Sequence, residues 1–136
     1  MAEKEGAIVK KGHAEGFKMM ISLLEEFKLP LGIFPVVDVI EVGFVKNTGY
    51  IWIQQAKKVE HKFKMLHKPA SYDTEISGYI DKNRIKKLKG LKVNTPIVSH
   101  PVNEIIVDDP PTGNIQFKGF AGISKTLPLE YFVAGQ

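Results

Sequence analysis

The spacing of apolar residues changes once along this chain. Phe17, Met20, Ile21, Leu24 and Phe27 recur at steps of three, one, three and three, which gathers them on one side of a helix. Ser22, Glu25, Glu26 and Lys28 take the other side. The pattern predicts a helix over residues 3–28, firm from Ala14 to Phe27. Gly6, Gly12 and Gly16 weaken its N-terminal half, by ~1 kcal/mol each relative to alanine. Pro30 ends it, because the residue before a proline avoids helical backbone angles. Residues 29–35, Leu-Pro-Leu-Gly-Ile-Phe-Pro, form a hinge, and beyond them the apolar residues recur at strand spacing.

Residues 36–45 and 50–55 read as a hairpin closed by Lys46-Asn47-Thr48-Gly49. Setting Val45 across from Tyr50 pairs Phe44 with Ile51 and Val42 with Ile53 on one face, and Gly43 with Trp52 on the other. Both faces are apolar, so both need cover. The helix is the expected cover for the Trp52 face. Val59, His61, Phe63 and Met65 then alternate with Lys58, Glu60, Lys62 and Lys64, and a further strand follows over 72–80. Setting Lys64 across from Asp73 brings Lys62 to Glu75 and Phe63 over Thr74. Residues 81–90 read as a basic loop or edge segment, leading to a strand over 91–99 in which Pro96 implies an edge or a bulge. Strands over 102–107 and 114–120 flank the turn Asp108-Asp109-Pro110-Pro111-Thr112-Gly113, and a short closing segment ends at Phe132. The fold class is therefore mainly β: an N-terminal α-helix followed by an antiparallel β-barrel or barrel-like sandwich over 36–132, in one domain spanning 1–136.

With 136 residues, 43% hydrophobic and 25% charged, the chain has the make-up of an ordinary globular protein and can bury a sizeable core. It has no cysteine, which excludes disulfides and thiolate metal sites and fits a reducing compartment. The charged N-terminus lacks the apolar stretch of a signal peptide. No apolar run is long enough to span a bilayer. Ala2 stands where myristoylation needs glycine. A cytoplasmic protein without a transmembrane segment is the expectation. The net charge is +4, yet more than half of the 19 basic residues fall within 57–68 and 82–92. Such stretches either meet phosphate-bearing surfaces or simply solvate the edges of a sheet. Lys86, Lys87, Lys89 and Lys92 are the candidates for contact with an anionic membrane surface.

Candidate chemistry narrows quickly. His13, His61, His67 and His100 form neither His-x-His nor His-Glu-x-x-His, so no metal site is expected. Ser99 and His100 are adjacent, and on a strand adjacent side chains point to opposite faces, so they cannot pair directly as nucleophile and base. No Gly-x-Ser-x-Gly elbow occurs, and no catalytic residue is assigned. Residues 119–126 approach a phosphate-binding loop, but Ser124 replaces its second glycine and Leu127-Pro128 replaces its helix. Nucleic-acid binding by a stacking platform is not expected, because alternation puts Phe63 opposite Lys62 and Lys64. No cofactor is indicated.

The ordered set of segments resembles a known family. It comprises Leu-Leu-Glu-Glu-Phe-Lys-Leu-Pro-Leu-Gly-Ile-Phe-Pro at 23–35, Glu41-Val-Gly, Thr48-Gly-Tyr-Ile-Trp-Ile, Ser71-Tyr-Asp-Thr-Glu-Ile-Ser-Gly-Tyr-Ile, Leu88-Lys-Gly-Leu-Lys-Val, Pro101-Val-Asn-Glu-Ile and Gly122-Ile-Ser-Lys-Thr-Leu-Pro. Together they resemble the plant family called domain of unknown function 538, over most of the chain. The resemblance implies a helix followed by a barrel-like β domain, in proteins linked to stress responses and trichome growth. Likeness to lipid-binding proteins and hydrolysis of chlorophyll esters have both been suggested for the family, and no catalytic motif carries over. The function expected is binding of an amphiphilic small molecule or lipid, since barrel mouths are natural apolar pockets. Trp52, Phe63 and His61 are the candidate ligand contacts. Hydrolysis of ester-bearing lipids or pigments, and a non-catalytic scaffold, are the alternatives.

Overall fold

Two glycines decide the structure of the N-terminal segment. Gly6 and Gly12 both have positive φ, near 78° and 85°, and they bracket residues 7–11. A helix cannot pass through either angle. In the computed structural model, which describes residues 2–109, 112–119 and 123–134, the chain between them is a strand, β1 (Ile8–Lys11), rather than the helical extension expected over 3–12. A single 3-10 turn, Ala2–Lys4, precedes it. The helix α1 runs His13–Glu26, two residues short of the expected end at 28 and one short of the firm part's end at Phe27. It closes with the Leu29 amide donating to the Leu24 carbonyl at 2.8 Å, while Lys28 takes the left-handed φ of 64° that this C-terminal motif requires.

The remaining strands are β2 (Val39–Val45), β3 (Tyr50–Gln55), β4 (Val59–His61), β5 (Ala70–Asp81), β6 (Arg84–Asn94), β7 (Ser99–Val107), β8 (Asn114–Gly119) and β9 (Ser124–Pro128). A second 3-10 turn, Leu129–Phe132, closes the chain. All described pairings are antiparallel, in the order β1-β2-β3-β5-β6-β7-β8-β9, with β4 also on β5. The sheet is not closed into a barrel, since β1 and β9 each pair on one side only.

The β2–β3 register is Val45 with Tyr50, Phe44 with Ile51, Gly43 with Trp52 and Val42 with Ile53, as the alternation of the two segments requires. The cover of its two faces is the reverse of the expectation. Helix α1 packs on the Val42 and Phe44 face, with Phe27 edge-on to Phe44 at 6.0 Å and Gly16 close to Val39 and Val42. The Trp52 face is covered instead by the N-terminal segment. Ala7 packs on the cluster of Val45, Tyr50 and Trp52, and Lys4 Nζ sits 4.7 Å above the indole.

Three further expectations are corrected. β4 stops at His61, and pairs His61 with Ala70 and Val59 with Tyr72. The expected opposition of Lys64 to Asp73 and Lys62 to Glu75 is therefore not made, and Glu75 lies 3.6 Å from Lys4 instead. After β4 the chain turns at residues 63–66, the Leu66 amide donating to the Phe63 carbonyl, and this drives Phe63 into the core. Residues 84–90 are part of β6, a strand flanked on both sides, not a loop. Lys87 and Gly90 have φ of 52° and 93°, and the pairing of β6 with both of its neighbours shifts register across this stretch, so that Ile85, Leu88 and Leu91 all reach the core at steps of three. Pro96 lies in the β6–β7 turn, where the Thr95 amide donates to the Val98 carbonyl, and not within a strand.

The 108–113 turn is described only at its ends, because Pro110 and Pro111 lie outside the described residues. There the Asp108 carboxylate accepts hydrogen bonds from Thr112 Oγ1 and Gln116 Nε2, which hold its pKa below the usual carboxylate range. The Phe120 end of the expected 114–120 strand and residues 120–122 of the glycine-containing stretch also lie outside the described residues.

Candidate ligand cavity

The hinge between helix and strands shapes one wall of an apolar cavity. Residues 29–36 place Leu29, Ile33, Phe34 and Val36 in the core. The Gly32 amide donates to the Phe132 carbonyl at 2.9 Å, and the Tyr72 hydroxyl donates to the Ile33 carbonyl at 2.8 Å. The middle of the segment is thereby tied both to the C-terminal turn and to β5. Burial raises the Tyr72 phenol pKa far above its usual value, so this donor keeps its proton.

Between that segment, the C-terminal turn and the sheet is an open cavity of about 340 Å³. β5 gives it Ala70 and Tyr72, β6 gives Leu91 and Val93, β7 gives Val102, and β8 gives Phe117. Leu127 of β9 and Tyr131 and Phe132 of the last turn form the facing wall. Phe63 closes the floor, with its ring 4.9 Å from Phe132, which in turn is 5.0 Å from Phe117. The loop after β4 supplies the rim with Met65, Leu66, His67 and Lys68, and Lys125 stands on β9. Among the described residues, the chargeable side chains on the wall are His67, Lys68 and Lys125, with no carboxylate. A cavity of ~150 Å³ lined by aliphatic and aromatic residues stays dry and takes up benzene. This one is more than twice as large and mostly apolar, and the charged side chains on its wall among the described residues are those of Lys68 and Lys125. Its chemistry suits an apolar tail joined to an anionic or neutral polar head.

The sequence-derived candidates separate in the fold. Phe63 lines the cavity. His61 is half-buried with its ring edge-on to Phe63 at 4.6 Å, and is not on the cavity wall. Trp52 is on the opposite face of the sheet, buried with Tyr50 and Val45, its indole N–H donating to Glu41 Oε2 at 2.8 Å. Lys86, Lys87 and Lys89 are exposed along β6 and Lys92 is half-buried. Lys87, Lys89 and Lys92 share a shallow groove with residues 101–103, where the β6–β7 pairing is interrupted between Ile85 and Lys92. Lys87 Nζ lies 5.7 Å from the Tyr79 ring, and Lys86 is not in the groove. Ser99 Oγ donates to Asn94 Oδ1 at 2.8 Å, and His100 is exposed.

Sequence reasoning missed Val93, Val102, Phe117, Leu127 and Phe132. Each is one inward residue of a different strand or turn, so no spacing links them. Their approach to one cavity follows from the strand order alone.

A family model described as "Protein of unknown function, DUF538" matches residues 20–133. The chain belongs to this family. The matched stretch takes in the second half of α1, the hinge, β2 to β9 and the closing turn, and so the whole cavity. Comparison with curated proteins and with solved structures finds no match. Among the described residues, no helix is long and apolar enough to cross a membrane, which does not bear on strands.

Proposed function

We propose that this member of the DUF538 family binds an amphiphilic small molecule or lipid, with the apolar tail in the cavity and the head at the rim beside Lys68 and Lys125. The observation that carries the reading is the composition of the wall. The buried residues of the wall are Ile33, Phe63, Ala70, Tyr72, Leu91, Val102 and Phe132, and the lysines Lys68 and Lys125 are exposed. Water gains little in such a site, while each buried methylene of a ligand contributes ~0.8 kcal/mol. The hydrolase alternative has less support. Ser99 is bonded to Asn94, and neither it nor His100 is on the cavity wall.

A fluorescent long-chain carboxylate tests the reading. The wild-type protein should bind it with an emission increase that unlabelled fatty acid reverses. Val93→Trp fills the cavity from a half-buried strand position that tolerates aromatics, and should weaken binding by about ten-fold or more, or ~1.4 kcal/mol. Retention of the wild-type affinity in a folded Val93→Trp protein, or absence of probe binding to the wild type, contradicts the proposal.

A further inference from the structure

We infer that the cavity-mouth end of the sheet docks onto an anionic lipid bilayer. Three loops meet at that end. β4 runs down to it and the chain returns through residues 62–69 to Ala70, which pairs with Val93. β6 ends beside it at Asn94 and β7 begins at Ser99, so the 95–98 turn projects there. The last residues of β8 and the first of β9 lie there as well, with Val102 of β7 across from Gly119 and Lys118 across from Ser124.

The tips of these loops are unusual in one respect. Among the described residues, the three most exposed large apolar side chains are Ile97 at 94%, Ile123 at 61% and Met65 at 58%. Each belongs to a different one of the three loops. Val98, beside Ile97, is 50% exposed. Exposed apolar residues scattered at random over a surface are ordinary, but their convergence on one end is not.

Charge selects the occupant. Residues 61–69, 95–101 and 123–128 carry Lys62, Lys64, Lys68 and Lys125 and contain no aspartate or glutamate. Glu60, the nearest acidic residue in the chain before the first of these loops, accepts a hydrogen bond from Asn94 Nδ2. Apolar tips interleaved with unopposed lysines match a bilayer interface, where the tips enter the acyl boundary and the lysines meet anionic headgroups. Met65, Lys68 and Lys125 also line the cavity, so a bilayer at this end faces its opening. The choice of a bilayer over an acidic protein rests on reading the cavity as an amphiphile site. The inference also moves the membrane contact away from the lysines of β6, which project from a strand whose Ile85, Leu88 and Leu91 face the core.

Co-sedimentation with vesicles tests it. The wild type should bind phosphatidylcholine–phosphatidylserine vesicles and bind pure phosphatidylcholine at least ten-fold less. Binding to the anionic vesicles should weaken as salt rises from 0.02 to 0.5 M (about 20 Å to about 4 Å of screening length). The double change Ile97→Asp and Ile123→Asp, at sites off the cavity wall, should reduce vesicle binding at least ten-fold and leave the affinity for the soluble fluorescent carboxylate unchanged. Replacing Lys86, Lys87 and Lys89 by glutamine should change it less than three-fold. Ile97→Trp should show an emission shift to shorter wavelength when anionic vesicles are added. Undiminished vesicle binding by the Asp variant, loss of binding in the β6 variant, or no binding by the wild type at low salt overturns the inference. The amphiphile reading fails separately, through the carboxylate probe and Val93→Trp.

Discussion

Gly43→Leu should destabilise the protein by about 3 kcal/mol, the upper end of the range for overpacking a buried site. Gly43 is the residue directly across from Trp52, and its other neighbour in the sheet is Val9. A Cβ placed on Gly43 would fall inside the Trp52 ring, against its Cζ2, Cη2 and Cε2 atoms. The indole has nowhere to go. Its N–H is bonded to Glu41, Tyr50 lies 5.9 Å away on one side, and Lys4 lies over its face. Urea denaturation gives the loss, and a cycle with Trp52→Ala gives its origin. In the Trp52→Ala background, the cost of Gly43→Leu should fall by more than half, because contacting residues are not additive. A loss below about 0.5 kcal/mol, the level expected at an unconstrained surface site, would show that the outer aromatic cluster is not packed as described.

Gln55→Leu should be of similar size for a different reason. Gln55 is one of the two buried polar residues of the described chain, and both ends of its amide are used. Its Oε1 accepts the Val37 amide at 3.0 Å, and its Nε2 donates to the Tyr72 and Asp73 carbonyls at 3.0 and 2.9 Å. Leucine is close in size and removes all three of these hydrogen bonds. Each orphaned group costs ~1–3 kcal/mol when water cannot reach it. Val37 is exposed and can be hydrated, so the two carbonyls dominate and the expected loss is about 3 kcal/mol. Gln55→Glu is the companion variant. It keeps the acceptor but removes the donor and should be nearly as damaging at neutral pH. Chemical denaturation of both variants checks the claim. A neutral Gln55→Leu would show that the amide does not tie the 36–38 segment to β5.

The parts of this fold that were legible from sequence are those where one pattern dominates. The β2–β3 hairpin is paired residue for residue as its alternation requires, because a one-residue slip would exchange Trp52 with Ile51 or Ile53. The β4–β5 register was misread by six residues. The charge pairs used to set it contribute only ~0.2–1 kcal/mol each. Burying Phe63 against Phe132 contributes ~1.5–3 kcal/mol and prevails. The shift is even, so Phe63 was still assigned to the inward face, while Met65 beyond the end of β4 is exposed. β6 escaped because its backbone turns left-handed at Lys87 and Gly90 and its buried apolar residues recur at steps of three, which matches no strand template. β1 was hidden because its four residues are exposed and carry no alternation. The helix was placed on the wrong face because both faces of the β2–β3 hairpin are apolar, and sequence pattern does not say which of them the helix takes. The cavity was the least legible element. Of its wall, only Phe63 was a candidate from sequence, since the other residues lie far apart in the chain and meet through the order β5-β6-β7-β8-β9.

The central claim is that the apolar cavity, and not the basic strand or the Trp52 cluster, receives an amphiphile. Methyl-labelled NMR with titrated dodecanoate tests it most directly. Saturable shifts at the methyls of Leu91, Val93, Val102 and Leu127, with those of Leu23 and Val45 unchanged, are the expected result. Shifts centred on Val45, or no shift of the four cavity methyls at saturating ligand, would contradict the account.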